Sequence, residues 1–496
     1  MTQYIVVGAG SAGCLLAARL SEDPAVSVLL LEAGPADTRR EIHIPAAFGK
    51  LFKSEVDWAY HTEPQAELGG RKLFWPRGKM LGGSSSMNAM IWIRGRRSDY
   101  ERWNAGGAQG WCWKCVEPAF GRLESMAANL RTVNPLSEAF IEACGQTGIP
   151  RTADFNGEEQ WGAGLYRVTQ RGGKRLSAAR AFLPREIQAR RPNLRVETGA
   201  HATRVVFEGG RSVGVEYVKD GRAVQARAER EVVLSGGAIN SPQLLMLSGV
   251  GPADQLRRLS IPVVADLPGV GENLQDHLMC GVSHACTRPV SLANAESVGN
   301  ILKYLVMGSG PLTSNVAEAG AFPRTHPAIQ LLFAPAYYIE HGFQKPEGHG
   351  YSIGATLLRP ASVGRLWLRS ADPMAAPAID PAYLREAADL DQLVDGVKLA
   401  REIFGARAFA PYRGAEVLPG PGADLAAFVR ERAETLYHPV GTCAIGAVVD
   451  CYLSVRGVEG LRVVDASVMP DVPSGNTNAP TLMIAERAAA MIRKAG

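Results

Sequence analysis

Residues 4–34, YIVVGAGSAGCLLAARLSEDPAVSVLLLEAG, decide the fold of this chain. A short apolar run at residues 4–7 leads into a glycine-rich turn, and an apolar segment at residues 11–20 follows it. A second run of strand-forming residues, 26–31, ends on an acidic residue, Glu32. This order predicts a strand, a helix and a second strand, arranged as a unit that binds a dinucleotide.

Each glycine of the turn has a physical reason. Gly8 permits the tight turn off the strand, Gly10 lets the backbone approach a pyrophosphate, and Gly13 lets the helix pack closely on the strand. The start of the helix, at Ser11 and Ala12, directs free N–H groups and the positive end of the helix dipole at the phosphates. The turn therefore predicts a phosphate-binding site.

Glu32, followed by Ala33, is expected to contact an adenosine ribose. Its carboxylate can accept hydrogen bonds from both ribose hydroxyls, and it would repel a 2′-phosphate. The unit therefore predicts a site for an ADP moiety whose ribose is not phosphorylated. The stretch leaves open whether the dinucleotide is NAD or FAD. The alternative to a dinucleotide site is a tight turn between strand and helix that binds no ligand.

Length and composition bound the remaining possibilities. A chain of 496 residues predicts two domains with sizeable cores. Its 46% hydrophobic and 21% charged residues are typical of a soluble globular protein. The net charge of +4 is too small over this length to indicate nucleic-acid binding, and the sequence contains no block of Lys and Arg.

Simple sequence patterns also bear on membrane spans, metal sites and cellular location. No run of about 18 uncharged apolar residues occurs, so no membrane span is expected. Of the eight cysteines, Cys112 and Cys115 have the CxxC spacing of a zinc site or a redox disulfide, but no second CxxC or histidine pair accompanies them, so ordinary thiols and no metal are expected. The first predicted strand begins near residue 4 and leaves no room for a leader, so the expected location is the cytoplasm.

A second informative stretch is PRGKMLGGSSSMNAMIWIRG, residues 76–95. Gly83, Ser84 and Asn88 belong to a turn of small, hydrogen-bonding residues. Such a turn can approach a pyrophosphate and the edge of a ring without steric cost. A polar surface loop is the alternative that composition alone leaves open.

Residues 76–95 resemble the first signature of the glucose–methanol–choline (GMC) family of flavin oxidoreductases. Residues 235–249, SGGAINSPQLLMLSG, are similar to its second signature. Residues 461–470, LRVVDASVMP, and residues 475–486, GNTNAPTLMIAE, resemble the C-terminal flavin segment of the family. The four matches occur in the family's order, and they favour FAD over NAD.

The resemblance implies an α/β fold with an α+β substrate part. A Rossmann-like FAD-binding domain is expected beside a substrate domain built on an antiparallel sheet flanked by helices. Alternating residues at 329–333, 351–358 and 364–368 predict strands of that sheet, and residues 387–404 predict a helix on it. The expected boundaries are 1–155, 195–290 and 431–496 for the FAD-binding domain, and 156–194 and 291–430 for the substrate domain.

The resemblance also implies which residues contact the cofactor beyond the first turn. These are Gly83, Ser84, Asn88, Ala89, Ile91, Ala202, Asp465, Ala466, Asn478, Pro480 and Thr481. Some relatives attach FAD covalently through a histidine one residue before the asparagine of the first signature. Met87 occupies that position here and cannot form the link, so we expect non-covalent FAD.

Carried over by position, the active pair of the family corresponds to His438 and Asn478. Alcohol oxidation requires that the hydroxyl lose a proton while the α-hydrogen leaves as hydride, and an imidazole is a suitable base. The Asn478 amide can hold the alcohol oxygen but cannot carry a proton. His277, the last residue of GVGENLQDH, is expected to be structural.

The predicted activity is FAD-dependent oxidation of primary alcohols to aldehydes, with electrons passing to O2 or a quinone-like acceptor. Aromatic and furanic alcohols are favoured because Phe333, Tyr337 and Tyr437 could supply pocket walls, although they could equally be core. Choline and aliphatic alcohols are alternatives, as are a flavin-dependent lyase and a non-catalytic flavin-binding protein. The sequence predicts no oligomeric state.

Overall fold

The structure is a computed structural model, and it describes residues 2–495. Its strands are β1 (Thr2–Val7), β2 (Val28–Leu31), β3 (Tyr60–His61), β4 (Phe74–Trp75), β5 (Gly162–Leu165), β6 (Gln170–Arg171), β7 (Lys174–Arg175), β8 (Leu194–Glu197), β9 (Ala200–Glu208), β10 (Arg211–Lys219), β11 (Arg222–Leu234), β12 (Val250–Gly251), β13 (Ala265–Asp266), β14 (Leu278–Cys286), β15 (Ala319–Phe322), β16 (Ile329–Ala334), β17 (Gly350–Leu357), β18 (Arg365–Trp367), β19 (Ala378–Asp380), β20 (Arg413–Leu418), β21 (Glu434–Thr435) and β22 (Leu461–Val463). Its α-helices are α1 (Ser11–Leu20), α2 (Arg40–His43), α3 (Arg97–Ala105), α4 (Trp113–Leu123), α5 (Pro135–Gln146), α6 (Ala178–Phe182), α7 (Arg185–Arg190), α8 (Gly237–Leu247), α9 (Ala253–Arg258), α10 (Val298–Met307), α11 (Ala387–Gly405), α12 (Leu425–Arg432) and α13 (Asn478–Ala495).

The first sheet is built around the unit predicted from residues 4–34. Its strand order is β8-β2-β1-β11-β10-β9, and β22 pairs with β11. β1 pairs in parallel with β2 and with β11, so that Val7 lies between Leu31 and Leu234. Because β1 is central and covered on both faces, its apolar residues are buried, as strands of a parallel sheet require. The predicted strand, helix and strand are confirmed.

Two glycines bring the first turn and α1 close to the sheet. Gly8 has a φ of +97°, and a Cβ there would lie 2.6 Å from the carbonyl oxygen of Ser235, just after β11. A Cβ on Gly13 would lie 1.8 Å from the carbonyl oxygen of Gly8. Any larger residue would push α1 away from β1, which explains both glycines.

The second sheet is antiparallel, with the order β20-β14-β17-β16-β15-β5 and with β21 beside β14. The helices α11 and α5 pack on one of its faces. Its other face points towards the first sheet, and alternate residues of β14, β16 and β17 line the cavity between the two. The strands predicted at 329–333 and 351–358 and the long helix over residues 387–404 are confirmed. The strand predicted at 364–368 forms as β18, but it pairs with β19 in a separate two-stranded sheet and does not belong to this one.

Two segments pack with the other domain from the one to which the sequence assigned them. β14, placed with the FAD-binding part by the boundary at residue 290, is a central strand of the second sheet and pairs with β17 from Met279 to Ala285. The helix α6, placed with the substrate part, packs instead on α1. Contacts with elements that are distant in sequence decide both positions, and a local residue pattern does not show such contacts.

The helix α8 contains a proline. It begins at Gly237, and Pro242 lies inside it. The missing N–H of Pro242 leaves the carbonyl oxygen of Ala238 without its helical donor. The Thr442 hydroxyl donates to that oxygen at 2.7 Å, so the carbonyl is satisfied from outside the helix.

Between Thr2 and Ala495, none of the helices combines the length and the apolar composition that crossing a membrane requires.

Candidate active site

A cavity lies between the two sheets, at the carboxyl ends of β1, β2 and β11. Most residues that the sequence predicted to contact the cofactor line it: Gly8, Gly10, Ser11, Ala12, Glu32, Ala33, Gly83, Ser84, Asn88, Ala89, Ile91, Ala202, Asp465, Ala466, Asn478 and Thr481. His438 and Tyr437 line it as well. Residues that are hundreds of positions apart in the sequence thus share one cavity.

Two predicted contact residues, Gly13 and Pro480, do not line the cavity. Gly13 is pressed against the carbonyl oxygen of Gly8 instead. Pro480 is buried in the first turn of α13, where a missing N–H costs no helical hydrogen bond. Both residues shape elements whose neighbouring residues face the cavity.

Phe333 and Tyr337, predicted as pocket walls, lie elsewhere. Successive side chains of a strand point to opposite faces, and in β16 it is Leu332 and Ala334 that line the cavity. Phe333 points to the helix-covered face, where its ring stacks on Phe140 with centroids 4.9 Å apart. The Tyr337 ring lies against Gly350, where a Cβ would meet it at 2.2 Å.

Glu32 is buried at the end of β2. Its two carboxylate oxygens accept hydrogen bonds from the backbone N–H groups of Ala9 and Gly34, each at 2.9 Å. Burial raises the pKa of Glu32 to about 7, although these N–H groups and the charge of Lys79 act in the opposite direction. A carboxylate has about four acceptor positions, so the two bonds leave capacity for the hydroxyls of a ribose.

The residues present fit the pyrophosphate of a dinucleotide. A Cβ on Gly10 would meet no atom closer than the Ser235 carbonyl oxygen at 4.0 Å, so this part of the backbone faces open space. Gly83 approaches Gly10 from the opposite wall so closely that a Cβ there would lie 2.7 Å from the Gly10 Cα. The free N–H groups at the start of α1 face the same space, as a phosphate site requires.

The helices α1 and α13 meet at their amino-terminal ends. The Ser11 hydroxyl donates to the Asn478 side-chain oxygen at 2.7 Å, which joins residues near the two ends of the chain. Thr481, on the next turn, donates its hydroxyl to the Thr477 carbonyl oxygen at 2.8 Å. The positive ends of two helix dipoles therefore converge on one cavity, which favours negative charge there.

His438 lies at the cavity wall with its tautomer fixed by a chain of hydrogen bonds. The Nε2 of His277 lies 3.2 Å from the carbonyl oxygen of Leu358, which can only accept, so His277 carries its proton on Nε2. The His277 Nδ1 must then accept from the His438 Nδ1, 2.9 Å away. The lone pair of neutral His438 is therefore on Nε2, where a base needs it.

The surroundings keep His438 neutral. Burial, the neighbouring His277 and the positive charge of Arg77 hold the pKa of His438 well below its usual value. Burial also lowers the pKa of His277 to about 4. A neutral imidazole can accept a proton, so the site presents a base throughout the neutral pH range.

Asp276 holds the backbone that carries His438. Its carboxylate accepts from the His438 N–H at 2.7 Å and from the Thr435 hydroxyl at 2.6 Å, and it also accepts from the hydroxyl of Tyr383. The residue before the base, Tyr437, has a φ of +68°, a conformation that side chains other than glycine rarely adopt. Asp276 therefore stabilises a strained segment at the base.

The asparagine that contacts His438 is not the one predicted to pair with it. The side-chain nitrogen of Asn476 lies 3.3 Å from the His438 Nε2, whereas the oxygen of Asn478 bonds to Ser11. Both asparagines line the cavity, and the Asn476 side-chain oxygen is buried without a hydrogen-bond partner.

Sequence reasoning missed Asp276, His277 and Asn476 as parts of this site. The dipeptide Asp276-His277 sits in GVGENLQDH, which was expected to be a structural turn. Two adjacent ionisable residues that are both buried are uncommon, but burial cannot be read from that segment because it lacks a regular period. The contacts with His438 come from tertiary packing across 161 and 162 positions.

We expect His277→Leu to lower kcat/KM by roughly tenfold to a hundredfold, because the group that orients the base is lost. Leucine fills the buried space but leaves the Leu358 carbonyl and the His438 Nδ1–H without partners, so some loss of thermal stability is expected as well. His277→Asn should restore most of the activity, because its side-chain oxygen can take the acceptor role of Nδ1. Steady-state kinetics of both variants across a pH range is the measurement. Equal losses in the two variants would contradict the orienting role.

Part of the remaining cavity wall is aromatic and apolar. The rings of Phe48, Phe52, Tyr338 and Tyr437 line it, and the Tyr338 and Tyr437 hydroxyls are 2.8 Å apart. Among the described lining residues, the acids are Glu32 and Asp465, both in the part predicted to hold the cofactor. This wall therefore fits an uncharged, planar or apolar molecule.

This chain is similar to known proteins over nearly its whole length. The family described as GMC oxidoreductase matches residues 2–279 and residues 360–485. Mouse mitochondrial choline dehydrogenase is 47% identical over a region covering 99% of this chain and 89% of that protein. An alcohol dehydrogenase (acceptor) of Pseudomonas putida is 46% identical, covering 99% of this chain and 96% of the other. The crystal structure of pyridoxine 4-oxidase from Mesorbium loti superposes with a TM-score of 0.90 at 33% identity, covering 100% of this chain and 99% of the other.

Proposed function

This chain belongs to the GMC oxidoreductase family, and from that premise we propose that it oxidises primary alcohols to aldehydes with FAD, using His438 as the base. The observation that carries the proposal is the geometry of His438. Its Nε2 has a lone pair fixed by His277, and it faces the cavity that begins at the nucleotide-binding glycines. A proton acceptor at one end and a dinucleotide cradle at the other are the two parts that this reaction needs.

The residues that would hold FAD are those that line the cofactor part of the cavity. Glu32 would accept from the ribose hydroxyls, and the backbone at Gly10, Ser11 and Gly83 would face the pyrophosphate. Bound FAD supplies the hydride acceptor of the reaction. The start of α13 directs its positive dipole end at the same cavity, which stabilises negative charge there.

His438 would take the proton of the substrate hydroxyl on Nε2. The amide nitrogen of Asn476 is already 3.3 Å from that atom, so an alcohol oxygen placed at the base lies within reach of an amide donor. Asn478, predicted as the partner of His438, would contribute from the adjacent wall. The aromatic rings at this end exclude water, which strengthens these polar contacts.

We further propose that FAD is bound without a covalent link, because Met87 occupies the position of the attaching histidine and lines the cavity. A thioether does not form that bond. Protein precipitated with acid should therefore release its flavin into the supernatant, measured by absorbance of the two fractions. A pellet that stays yellow after washing would contradict this expectation.

For the substrate, we propose an uncharged alcohol with an aromatic or furanic ring. Support comes from the lining rings of Phe48, Phe52, Tyr338 and Tyr437, and from the lack of an acid among the described lining residues near His438. Choline is the second candidate, favoured by the choline dehydrogenases among the relatives. A quaternary ammonium would rely on cation–π contacts with these rings alone.

Anaerobic addition of alcohols to the FAD-loaded protein tests the proposed function. An alcohol oxidised by the protein should bleach the visible flavin band, and aromatic alcohols should do so at lower concentrations than choline. A lyase would leave the band unchanged while it consumed its substrate. If neither aromatic, furanic, aliphatic nor choline substrates bleached the flavin, the proposal would be wrong. Admission of air, and separately of a soluble quinone, then identifies the acceptor.

A further inference from the structure

The helix α10 exposes an apolar stripe to solvent. Its side chains at positions 298, 301, 302, 305 and 306 repeat at the spacing that places them on one helix face. The stripe and the adjoining methionine are between 39% and 81% exposed: Val298, Ile301, Leu302, Leu305, Val306 and Met307. Single exposed apolar residues are ordinary, but a contiguous aliphatic patch marks a surface that is covered in use.

The orientation of α10 is the reverse of that of an ordinary surface helix. Tyr304 is its one described buried residue, and it packs with Ala295 and Leu312 beside Ile44 and Ala46. The helix is therefore fixed by a single ring, while its aliphatic side points away from the protein. Lys303 lies over Gly310 at the carboxyl-terminal end of the helix, where its side-chain carbons would meet a Cβ at 3.1 Å.

Exposed cations surround the carboxyl-terminal end of α10. Arg131 donates to the carbonyl oxygen of Met307 at 2.9 Å. The β6–β7 hairpin, which carries Arg171 and Lys174, touches the end of the helix, because a Cβ on Gly173 would lie 2.3 Å from the Gly308 carbonyl oxygen. Within residues 2–495, neither Arg171 nor Lys174 has an acidic partner within salt-bridge distance, and the same holds for Lys303 and Arg131.

We propose that α10 docks this protein on a lipid bilayer with anionic headgroups, lying in the interface with its aliphatic stripe among the acyl chains. An aliphatic face beside unpaired cations is the composition of helices that lie in a membrane interface. The cations at the end of the helix would meet the phosphates of acidic lipids. This arrangement is peripheral and needs no segment that crosses the bilayer.

A second copy of the chain is a poorer occupant of the same surface. Two copies related by a twofold axis would bring the same cations face to face, which costs electrostatic energy. The stripe also lacks tryptophan, tyrosine and arginine, the residues that anchor protein interfaces. Lipid headgroups supply the negative charge that a second copy lacks.

Co-sedimentation of the FAD-loaded protein with vesicles tests the proposal. With vesicles of phosphatidylglycerol and phosphatidylcholine in roughly equal parts, the wild type should sediment. With phosphatidylcholine alone it should bind at least roughly tenfold more weakly, because two or three cations then have no anionic headgroups to contact. Raising the salt from about 0.1 M to about 1 M shortens the screening length from about 10 Å to about 3 Å, so binding should fall.

Two double variants separate the apolar and the charged contributions. Leu302→Gln with Leu305→Gln should weaken vesicle binding roughly tenfold or more, and Arg171→Glu with Lys174→Glu should do the same for anionic vesicles. Tyr452→Gln is the matched control, because Tyr452 is also exposed but lies beside β22 of the first sheet. Turnover of a water-soluble alcohol should stay unchanged in all three.

Three outcomes would overturn the proposal. The wild type could remain in the supernatant with every vesicle. The leucine variant could sediment as the wild type does. Light scattering could show a wild-type dimer that the leucine variant converts to a monomer without vesicle binding, in which case the stripe is a contact between copies. Loss of alcohol oxidation alone would bear on the active site and not on docking.

Discussion

His438→Ala lowers the rate of flavin reduction by an alcohol by about 10²–10⁴-fold, the usual contribution of a positioned base. The substitution removes the Nε2 lone pair that faces the cavity and leaves the nucleotide-binding glycines untouched. FAD content should therefore stay near that of the wild type. Anaerobic stopped-flow measurement of flavin bleaching gives the rate directly, and the absorbance spectrum gives the cofactor content.

His61→Ala is the matched control, because His61 is an exposed histidine that does not line the cavity. Its rate should equal that of the wild type. The low pKa of His438 sets the sign of the pH dependence: the base is neutral and active at neutral pH, and kcat/KM should fall only in acid, as His438 gains a proton. An unchanged rate in His438→Ala would remove the base assignment.

Gly83→Val should weaken FAD binding on the order of a hundredfold, since it combines a clash with backbone strain. The new Cβ would lie 2.7 Å from the Gly10 Cα, and the φ of +51° at Gly83 disfavours a β-branched residue. Relief of the clash requires the turn after β4 to move away from α1, and this movement opens the cradle for the pyrophosphate. Titration of the apoprotein with FAD, followed by flavin fluorescence, measures the effect.

Gly209→Val is the control that introduces backbone strain without a clash at the phosphate-binding turns. Gly209 has a similar φ of +56° in the β9–β10 hairpin, and no atom lies within 4 Å of its Cβ position. This variant should lose stability without losing affinity for FAD. If Gly83→Val bound FAD as tightly as the wild type, the close approach of the two glycine turns would have no part in cofactor binding.

The parts of the fold that depend on local pattern could be predicted from the sequence. The strand at residues 4–7, the helix Ser11–Leu20 and Glu32 at the end of β2 are fixed by neighbours in the chain, and the structure has them where the sequence indicated. The antiparallel strands β16 and β17 follow from alternation in the same way. Local periodicity decides such elements before any tertiary contact forms.

The errors lie where contacts across the chain decide. Phe333 belongs to a correctly predicted strand, but only the packing of α5 determines which face of that strand is covered. β14 belongs to the second sheet because β17 pairs with it, and the residue pattern between Leu278 and Cys286 does not predict that partner. His277 was expected to be structural, and both of its ring nitrogens do have hydrogen-bond partners; what the sequence did not show is that one of these partners is His438.

The hydrogen bond between Ser11 and Asn478 has a consequence for biosynthesis. Ser11 leaves the ribosome 467 positions before Asn478, a wait of roughly 20 to 90 s at about 5–20 residues per second. During translation the nascent amino-terminal half holds only one wall of its proposed flavin cradle. Cofactor insertion therefore has to wait until α13 has been synthesised, and polypeptides that end before α13 should be colourless.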